Sequence, residues 1–317
     1  MKLKPKKISI YFNFQVDCEA LQPALKDAAL GKKAITGLCK ILNREGLKGN
    51  FAVIPSDIKA HAAIYRDIAA QGHEVGLHLH PADQGYEEFL GVYGFEDQKK
   101  IIKEAADVFF RHMRFLPASF TPGYASANDH TFSVLEALGF RHGTVSIPTR
   151  NLPQCACIWG NSPQAVHYPH HSNRALTGNV DFVEIPCTVD PESRMWGGAH
   201  PQDLRVELVD AKNHWYTINK NVARQVQAGD GIPVKHIKIV THNIFDYSDT
   251  GNFRRETLLG MIAAMRDICA KEDCRMIPAT NADIAAVYRR LVPLPKDGVK
   301  LALDRRGWAG MKTKRRN

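Results

Sequence analysis

The sequence lacks several features that would place it in a specialised class of protein. No apolar run approaches the ~20 residues that a membrane-spanning helix needs. The N-terminus reads MKLKPKKISIYFNF, without the apolar region and small-residue cleavage site of a secretory signal. Cysteine is scarce, since only seven are scattered through 317 residues, without zinc-knuckle spacing. These absences argue against a disulfide-stapled secreted domain, and we expect a reduced, cytoplasmic protein.

Nucleotide- and nucleic-acid-binding signatures are also missing. No Gly-x-Gly-x-x-Gly follows the first predicted strand, and no Gly-x-x-x-x-Gly-Lys occurs. The net charge is +9, but the excess lies at the two ends, in the lysines of residues 1–7 and in eight Lys and Arg of residues 296–317. The body between them is nearly neutral, which disfavours a nucleic-acid-binding face. The basic tail suits peripheral contact with an anionic membrane surface.

Strand-like and helix-like segments alternate along the chain. Predicted strands cover residues 8–16, 49–54, 73–80, 118–121, 141–147, 180–186, 236–242 and 275–280. Predicted helices cover residues 27–46, 56–70, 96–114, 131–139, 202–228, 253–271 and 281–291. About eight such alternations predict an α/β fold, a distorted (β/α) barrel of seven or eight parallel strands, with an open doubly wound sheet as the alternative. Residues 1–295 then form one domain, residues 148–180 a long loop or insertion, and residues 296–317 the basic tail.

Pairs of carboxylates and imidazoles follow two of the predicted strands. Asp17 and Glu19 end the first strand, and His78 and His80 end the third. Strand side chains alternate between faces, so each pair points to one side of the sheet. The carboxyl ends of barrel strands meet at one mouth, so the two pairs can converge there. Carboxylate oxygen and imidazole nitrogen suit Zn²⁺ or a similar first-row divalent ion.

Further polar groups lie at other predicted strand ends. Tyr124 follows a Pro-Gly turn, Glu184 lies on the sixth strand, and His242 ends the seventh with Asp246 beyond it. We expect Glu184 to support the barrel interior. His242 and Asp17 end the seventh and the first strands, which could face each other across the barrel mouth. Asp246 is a loop-capping residue or a carboxylate that raises the pKa of His242.

The order of these residues resembles the polysaccharide deacetylases of the NodB-like homology superfamily, carbohydrate esterase family 4 in its broad sense. The similarity extends over about residues 8–280 and consists of five segments in the family's order. They are Asp17-Cys18-Glu19, Gly72-His73-Glu74-Val75-Gly76-Leu77-His78, Pro122-Gly123-Tyr124-Ala125-Ser126-Ala127-Asn128, Val183-Glu184-Ile185-Pro186 with Trp196 as an aromatic wall, and Val240-Thr241-His242.

This resemblance implies a metal-dependent hydrolase that removes the acetyl group from an N-acetylated sugar. By analogy, Asp17 is the general base that activates water, and Glu19 and His78 are ligands of a divalent metal, expected to be Zn²⁺. The backbone N–H of Tyr124 helps to bind the oxyanion, and His242 is the general acid that protonates the leaving amine. A metal that polarises the acyl group and an acid–base pair are what amide hydrolysis requires.

Two positions depart from the family pattern. The second metal histidine of the family corresponds to Ala82, and the arginine that opens the third motif and orients the base corresponds to Thr121. His80 can replace the missing ligand, because alternation places it on the face of His78. The departures leave two alternatives open, a hydrolase of a small cyclic amide on the same fold and a catalytically silent carbohydrate-binding member.

The expected cytoplasmic location limits the range of possible substrates. A cytoplasmic member is expected to act on a nucleotide-linked or lipid-linked sugar that serves as a precursor of surface polysaccharide. A lipid-linked substrate at the inner leaflet would also suit the basic tail at residues 296–317.

Overall fold

Strands and helices alternate in the computed structural model, which describes residues 7–297. The strands are β1 (Ser9–Cys18), β2 (Gly49–Val53), β3 (Glu74–Leu79), β4 (Ser119–Pro122), β5 (His142–Gly143), β6 (Asn151–Leu152), β7 (Cys157–Ile158), β8 (Pro169–His170), β9 (Asn173–Thr177), β10 (Val183–Glu184), β11 (Val189–Met195), β12 (His200–Asp203), β13 (Lys235–His242) and β14 (Arg275–Pro278). The α-helices are α1 (Ala28–Arg44), α2 (Pro55–Ala70), α3 (Phe95–Met113), α4 (Thr131–Ala137), α5 (Ala211–Gln227), α6 (Phe253–Lys271) and α7 (Asn281–Leu291). Short 3₁₀ helices span Pro81–Gln84, Leu90–Val92, Gly123–Ala125, Pro153–Cys155, Trp196–Gly198 and Gly229–Gly231.

The main sheet is parallel and curls into an incomplete barrel. Its hydrogen-bonded order is β10-β5-β4-β3-β2-β1-β13, and β14 pairs with the first half of β1. No ladder joins β10 to β13 within residues 7–297. Side chains span this opening instead, since His236 Nε2 donates to the Pro186 carbonyl at 3.0 Å and Thr188 Oγ1 accepts from Lys238 N at 2.9 Å. The predicted distorted (β/α) barrel is confirmed.

The central strand β1 separates an apolar layer from a polar interior. Its even-numbered residues, such as Phe12, Phe14 and Val16, are fully buried in the main hydrophobic core, to which the apolar faces of the helices also contribute. Each large apolar side chain buried in this way stabilises the fold by roughly 1.5–3 kcal/mol. The odd-numbered Asn13 and Gln15 are also buried, but on the opposite face. The barrel interior is therefore lined with polar side chains that lead towards the carboxyl end of β1.

Residues 148–180, predicted as a long loop or insertion, contain two small antiparallel hairpins, in which β6 pairs with β7 and β8 with β9. Two other sequence-based boundaries are corrected by tertiary contacts. The helix expected from residue 202 begins at Ala211, where the Asp210 side chain caps it by accepting from Asn213 N at 2.9 Å. The strand expected over 141–147 is reduced to β5, because the backbone N–H groups of Val145 and Ser146 donate to the Glu184 carboxylate and not to a neighbouring strand.

The chain ends and the cysteines complete this description. Most of the predicted basic tail at 296–317, like residues 1–6, lies outside the described residues. All seven cysteines are free thiols. Among the described helices, none combines the length and the apolar character that a membrane crossing demands.

Candidate active site

The carboxyl end of β1 brings two carboxylates to the mouth of the barrel. Asp17 and Glu19 are both buried there, and Cys18 between them is directed into the apolar core. Asn243 holds the chain as it leaves the strand, since its side-chain oxygen accepts from Glu19 N at 2.7 Å and from Ala20 N at 2.9 Å. The backbone of Glu19 is thus anchored before any ligand binds.

Glu19, His78 and His80 converge on one point. Glu19 Oε2 lies 2.7 Å from His80 Nε2 and 3.4 Å from His78 Nε2, and the two Nε2 atoms are 3.1 Å apart. All three side chains are buried, and their candidate ligand atoms lie within 4.8 Å of one another. The alternation that continues from β3 therefore brings His80 beside His78, whereas position 82 is an alanine.

Both imidazoles are held by hydrogen bonds on their far side. His78 Nδ1 donates to the Thr121 carbonyl at 3.0 Å, and His80 Nδ1 donates to the Glu88 carboxylate. Because these partners accept only, each Nδ1 carries a hydrogen, and Nε2 is the atom of each ring that faces Glu19 and can lose its proton to ligate a metal. A carbonyl or carboxylate behind a histidine is the usual outer shell of a metal-ligating imidazole.

The electrostatics of this cluster favour a positive charge. Burial alone would lower the pKa of His80, but the hydrogen bonds to Glu19 and Glu88 outweigh it and raise that pKa to about 10. Burial likewise opposes ionisation of Glu19, yet the hydrogen bonds from His78 and His80 hold its pKa well below the ordinary value. Three electron-pair donors that face one another need a proton or a metal cation between them. The residues present therefore fit a divalent metal.

Glycine is required beside the cluster. A Cβ atom placed on Gly123 would lie 2.5 Å from His80 Cε1 and 2.6 Å from its Nε2. Real Cβ atoms do not approach a ring so closely, so the Pro122-Gly123 turn lets the imidazole lie directly against the backbone. The next residue, Tyr124, has a left-handed backbone with φ of +58°, and its ring packs edge-on to His80 at 5.4 Å between centroids.

Asp17 is oriented by an interior hydrogen-bond chain. Its Oδ1 accepts from Gln15 Nε2 at 2.7 Å, and Gln15 Oε1 in turn lies 3.4 Å from Lys238 Nζ. Lys238 also donates to Thr144 at 2.6 Å and to Asn281 at 2.8 Å. Burial lowers the pKa of this lysine to about 8. Gln15, from β1 itself, thus contacts the carboxylate that the family orients with an arginine at the position of Thr121.

His242 lies beside Asp17 and not opposite it. β1 and β13 are adjacent, and Asp17 pairs in register with His242, so the expectation of two residues facing each other across the mouth is wrong. Glu207 accepts from His242 Nδ1. Burial would lower the pKa of His242, but the charge of Glu207 and this hydrogen bond raise it to about 9. Asp246 instead accepts from Ser248 N at 2.9 Å, as a loop-capping residue.

Sequence reasoning missed Glu207 because its segment was assigned to a helix. The alternation Leu204-Arg205-Val206-Glu207 is that of a strand, and residues 204–206 do run parallel to β13, with Val206 N donating to the Val240 carbonyl at 2.9 Å. An isolated bridge of this kind is too short to stand out in a periodicity analysis. The strand-like alternation was the available signal.

Several other titratable residues have structural contacts. Glu184 is fully buried and accepts from Val145 N and Ser146 N, as expected for an interior support, and burial raises its pKa to about 7. Glu74 accepts from His142 Nε2 at 2.7 Å and from the first turn of α7. Neither belongs to the His–Glu cluster.

One cavity of about 150 Å³ connects the candidate catalytic groups. Its walls include the side chains that the sequence singled out, together with residues that it did not. They are Gln15, Asp17, Glu19, His80, Thr121, Pro122, Tyr124, Ala125, Thr144, Val145, Ser146, Ile147, Arg150, Cys187, Asp203, Arg205, Val240 and His242.

Comparison with known proteins finds a family model that matches the part of the chain containing the His–Glu cluster. The family model described as "Polysaccharide deacetylase" matches residues 6–143, which contain β1 to β5 and the Glu19, His78 and His80 cluster. The similarity to the polysaccharide deacetylase family is therefore found in the N-terminal part of the chain. No curated protein matches the chain.

Solved structures of similar fold extend over nearly the whole molecule. A Mycobacterium smegmatis protein described as a polysaccharide deacetylase has a TM-score of 0.59 at 17% identity, covering 92% of this chain and 95% of its own. A Pseudomonas aeruginosa PAO1 protein so described has a TM-score of 0.60 at 14% identity, covering 91% and 93%. PuuE allantoinase has a TM-score of 0.61 at 13% identity, covering 92% and 94%. At these identities the likeness extends the deacetylase fold beyond residue 143.

Proposed function

We propose that this protein is a member of the polysaccharide deacetylase family and a metal-dependent hydrolase that removes the N-acetyl group of a carbohydrate. One observation carries the proposal. The Glu19, His78 and His80 cluster lies at the same barrel mouth as Asp17 and His242, and four of these five residues line a single cavity. The match of residues 6–143 to the polysaccharide deacetylase model supports carbohydrate deacetylation as the general activity.

Glu19, His78 and His80 would hold the metal, which the donor set suggests is Zn²⁺. When bound, such a cation supplies Lewis-acid polarisation of an acyl oxygen and a lower pKa for water. The Thr121 carbonyl and the Glu88 carboxylate keep the two imidazoles in the tautomer that ligation needs.

Asp17 and His242 divide the proton transfers. Asp17, fixed by its 2.7 Å hydrogen bond from Gln15, accepts the proton of the attacking water. His242, kept protonated by Glu207, donates a proton to the departing amine. Because the two residues lie in register on adjacent strands, roughly 5 Å apart in the backbone, the scissile amide would lie over both. The backbone N–H of Tyr124 would donate to the oxyanion, a contact worth a few kcal/mol in enzymes of this kind.

The cellular context belongs to the same proposal. We infer a cytoplasmic substrate that is a nucleotide-linked or lipid-linked precursor of surface polysaccharide, with the tail at 296–317 as a contact for anionic lipid. Sedimentation with anionic vesicles, comparing the full chain with a version ending at residue 295, tests the tail. Equal sedimentation of the two proteins would remove this part of the proposal.

Two measurements test the activity. Elemental analysis after purification without chelator should find about one equivalent of metal, and His78→Ala should lose it while the exposed control His171→Ala retains it. Acetate release should then be followed on a panel of N-acetyl sugars and small cyclic amides. Ring opening without acetate release would assign the cyclic-amide alternative, whereas metal-free, inactive protein would assign the catalytically silent one.

A further inference from the structure

Arg150 is a buried cation without an anionic partner. Its side chain lies in the turn before β6, and the residue is 6% exposed. One guanidinium nitrogen donates to the Tyr124 carbonyl at 3.2 Å, while Nε has no hydrogen-bond partner. Among residues 7–297 no carboxylate forms an ion pair with it. A buried guanidinium normally bonds a carboxylate or phosphate, since an unpaired buried charge is costly.

The unpaired guanidinium of Arg150 belongs to the candidate active site. Its side chain lines the same cavity as Asp17, Glu19 and His242. The acidic groups of that cavity have their own contacts, since Glu19 faces two histidines and Asp17 is bonded by Gln15. An anion that reaches Arg150 would therefore be part of the molecule whose acyl group lies at the His–Glu cluster.

A second arginine extends the same wall. Arg205 lines the cavity, and its Nη2 lies 3.2 Å from the Asp203 carboxylate and 3.1 Å from His200 Nε2. Burial lowers the pKa of His200, so the imidazole accepts this hydrogen bond in its neutral form. Arg205 has five N–H donors, and the contacts to Asp203 and His200 occupy only one nitrogen. The N–H groups on its other two nitrogens can therefore donate hydrogen bonds to a ligand.

Trp196 joins the two arginines at the surface. Its ring is 50% exposed, stacks on His200 at 4.2 Å, and lies 5.8 Å from the guanidinium carbon of Arg150 and 5.7 Å from that of Arg205. The residue has a φ of +50°, and Gly197 and Gly198 after it also have positive φ. The indole is thus covered by His200 and the two guanidinium groups, and it holds both arginines at the edge of the cavity without lining the cavity itself.

We propose that Arg150, assisted by Arg205, binds an anionic phosphate or carboxylate group of the acylated substrate. The inference rests on the proposed function and makes it more specific. The substrate would be an N-acylated amino sugar that carries a negative charge, and the neutral sugar would be a poor ligand.

Binding to metal-stripped protein tests the subsite without catalysis. Isothermal titration with N-acetylglucosamine 1-phosphate, neutral N-acetylglucosamine and glucuronic acid separates phosphate recognition, ring recognition and carboxylate recognition. We expect an anionic probe to bind about 10- to 100-fold more tightly than the neutral sugar, the range for a charge-assisted hydrogen bond. The stronger of the two anionic probes identifies the group. Equal affinity for all three probes would overturn the proposal, with no variant needed.

Substitutions of Arg150 then test whether the preference for the anionic probe depends on this residue. Arg150→Gln should abolish the preference for the anionic probe while the neutral sugar binds as before, and Arg150→Lys should retain part of it. Arg111→Gln, an exposed residue of α3, removes the same charge far from the cavity and should change nothing. A preference that persists in Arg150→Gln would refute the assignment.

The subsite and the proposed function can fail separately. Selective anion binding through Arg150 without acetate release from any metal-loaded sample would refute the proposed deacetylation but keep the subsite. Acetate release from neutral sugars, unchanged by Arg150→Gln and by added phosphate, would keep the deacetylation and refute the subsite.

Discussion

Glu207 sets the protonation of His242, and replacing it by glutamine should change the pH dependence of the reaction. The Glu207 carboxylate accepts from His242 Nδ1 and is the main cause that raises the pKa of that histidine to about 9 against the effect of burial. The two side chains are 14% and 19% exposed, so solvent screens the pair only partly. Glutamine has almost the same shape without the charge. With burial still present, we expect the pKa of His242 to return to its ordinary value of about 6.5 or lower.

The expected effect follows from this shift. A fall from about 9 to about 6.5 corresponds to about 3 kcal/mol in the free energy of the protonated form. At pH 8 the protonated fraction of His242 would drop from about nine-tenths to about 3%. If His242 is the general acid, kcat at pH 8 should fall about 30-fold, whereas at pH 6 the two proteins should differ by less than about 2-fold. A bound cation would lower the pKa of His242 in the unchanged protein and in Glu207→Gln alike. The quantity to compare is therefore the difference between the two pKa values.

Three measurements decide this prediction. A pH profile of kcat should show the basic limb moved towards neutral pH in Glu207→Gln, and NMR titration of the His242 ring should show the same displacement. Asp246→Asn is the matched control, because its carboxylate bonds Ser248 and should leave the profile unchanged. The raised pKa of His242 also adds to the free energy of unfolding. This contribution is complete below about pH 6.5 and is lost as the pH rises through about 9. The free energy of unfolding of Glu207→Gln should not show this decrease. An unchanged basic limb, or a shift in Asp246→Asn instead, would show that Glu207 does not tune the acid.

Three further substitutions examine the metal site and the base. Gly123→Ala should displace the His80 ring, since the new Cβ would lie 2.5 Å from Cε1, and metal titration should show a large loss of affinity, whereas Gly160→Ala, with open space around it, should not. Glu88→Gln removes the carboxylate behind His80 and should weaken metal binding about 10- to 100-fold in the same titration. Asp17→Asn should abolish acetate release while elemental analysis still finds about one equivalent of metal.

Particular outcomes would contradict these predictions. Full metal affinity in Gly123→Ala would mean that His80 can withdraw without cost and is not a ligand. Metal loss in Asp17→Asn together with metal retention in Glu19→Ala would show that the roles of the two carboxylates are exchanged.

The pattern of apolar residues predicted most of the architecture. The first three strands and the helices α1, α3 and α6 have bounds close to the predicted ones, because their periodicity arises from one buried face. The segments that were predicted poorly depend on remote partners. β5 ends early because Glu184, from a distant part of the chain, takes the backbone N–H groups of Val145 and Ser146, and α5 begins at Ala211 because Asp210 caps it. No local pattern reveals such contacts.

The candidate site likewise has features that the sequence predicted and features that it did not. Alternation along β1 and β3 places Asp17 with Glu19 and His78 with His80, and a parallel barrel brings these pairs to one mouth, so the sequence by itself predicted the cluster of Glu19, His78 and His80. Only the tertiary structure decided that His242 lies beside Asp17, because strand order is a property of the whole sheet. The same holds for Glu207 as the partner of His242 and for Arg150 in the cavity. Local periodicity records which face a residue occupies, whereas ion pairs and cavity walls form between segments that meet only when the chain has folded.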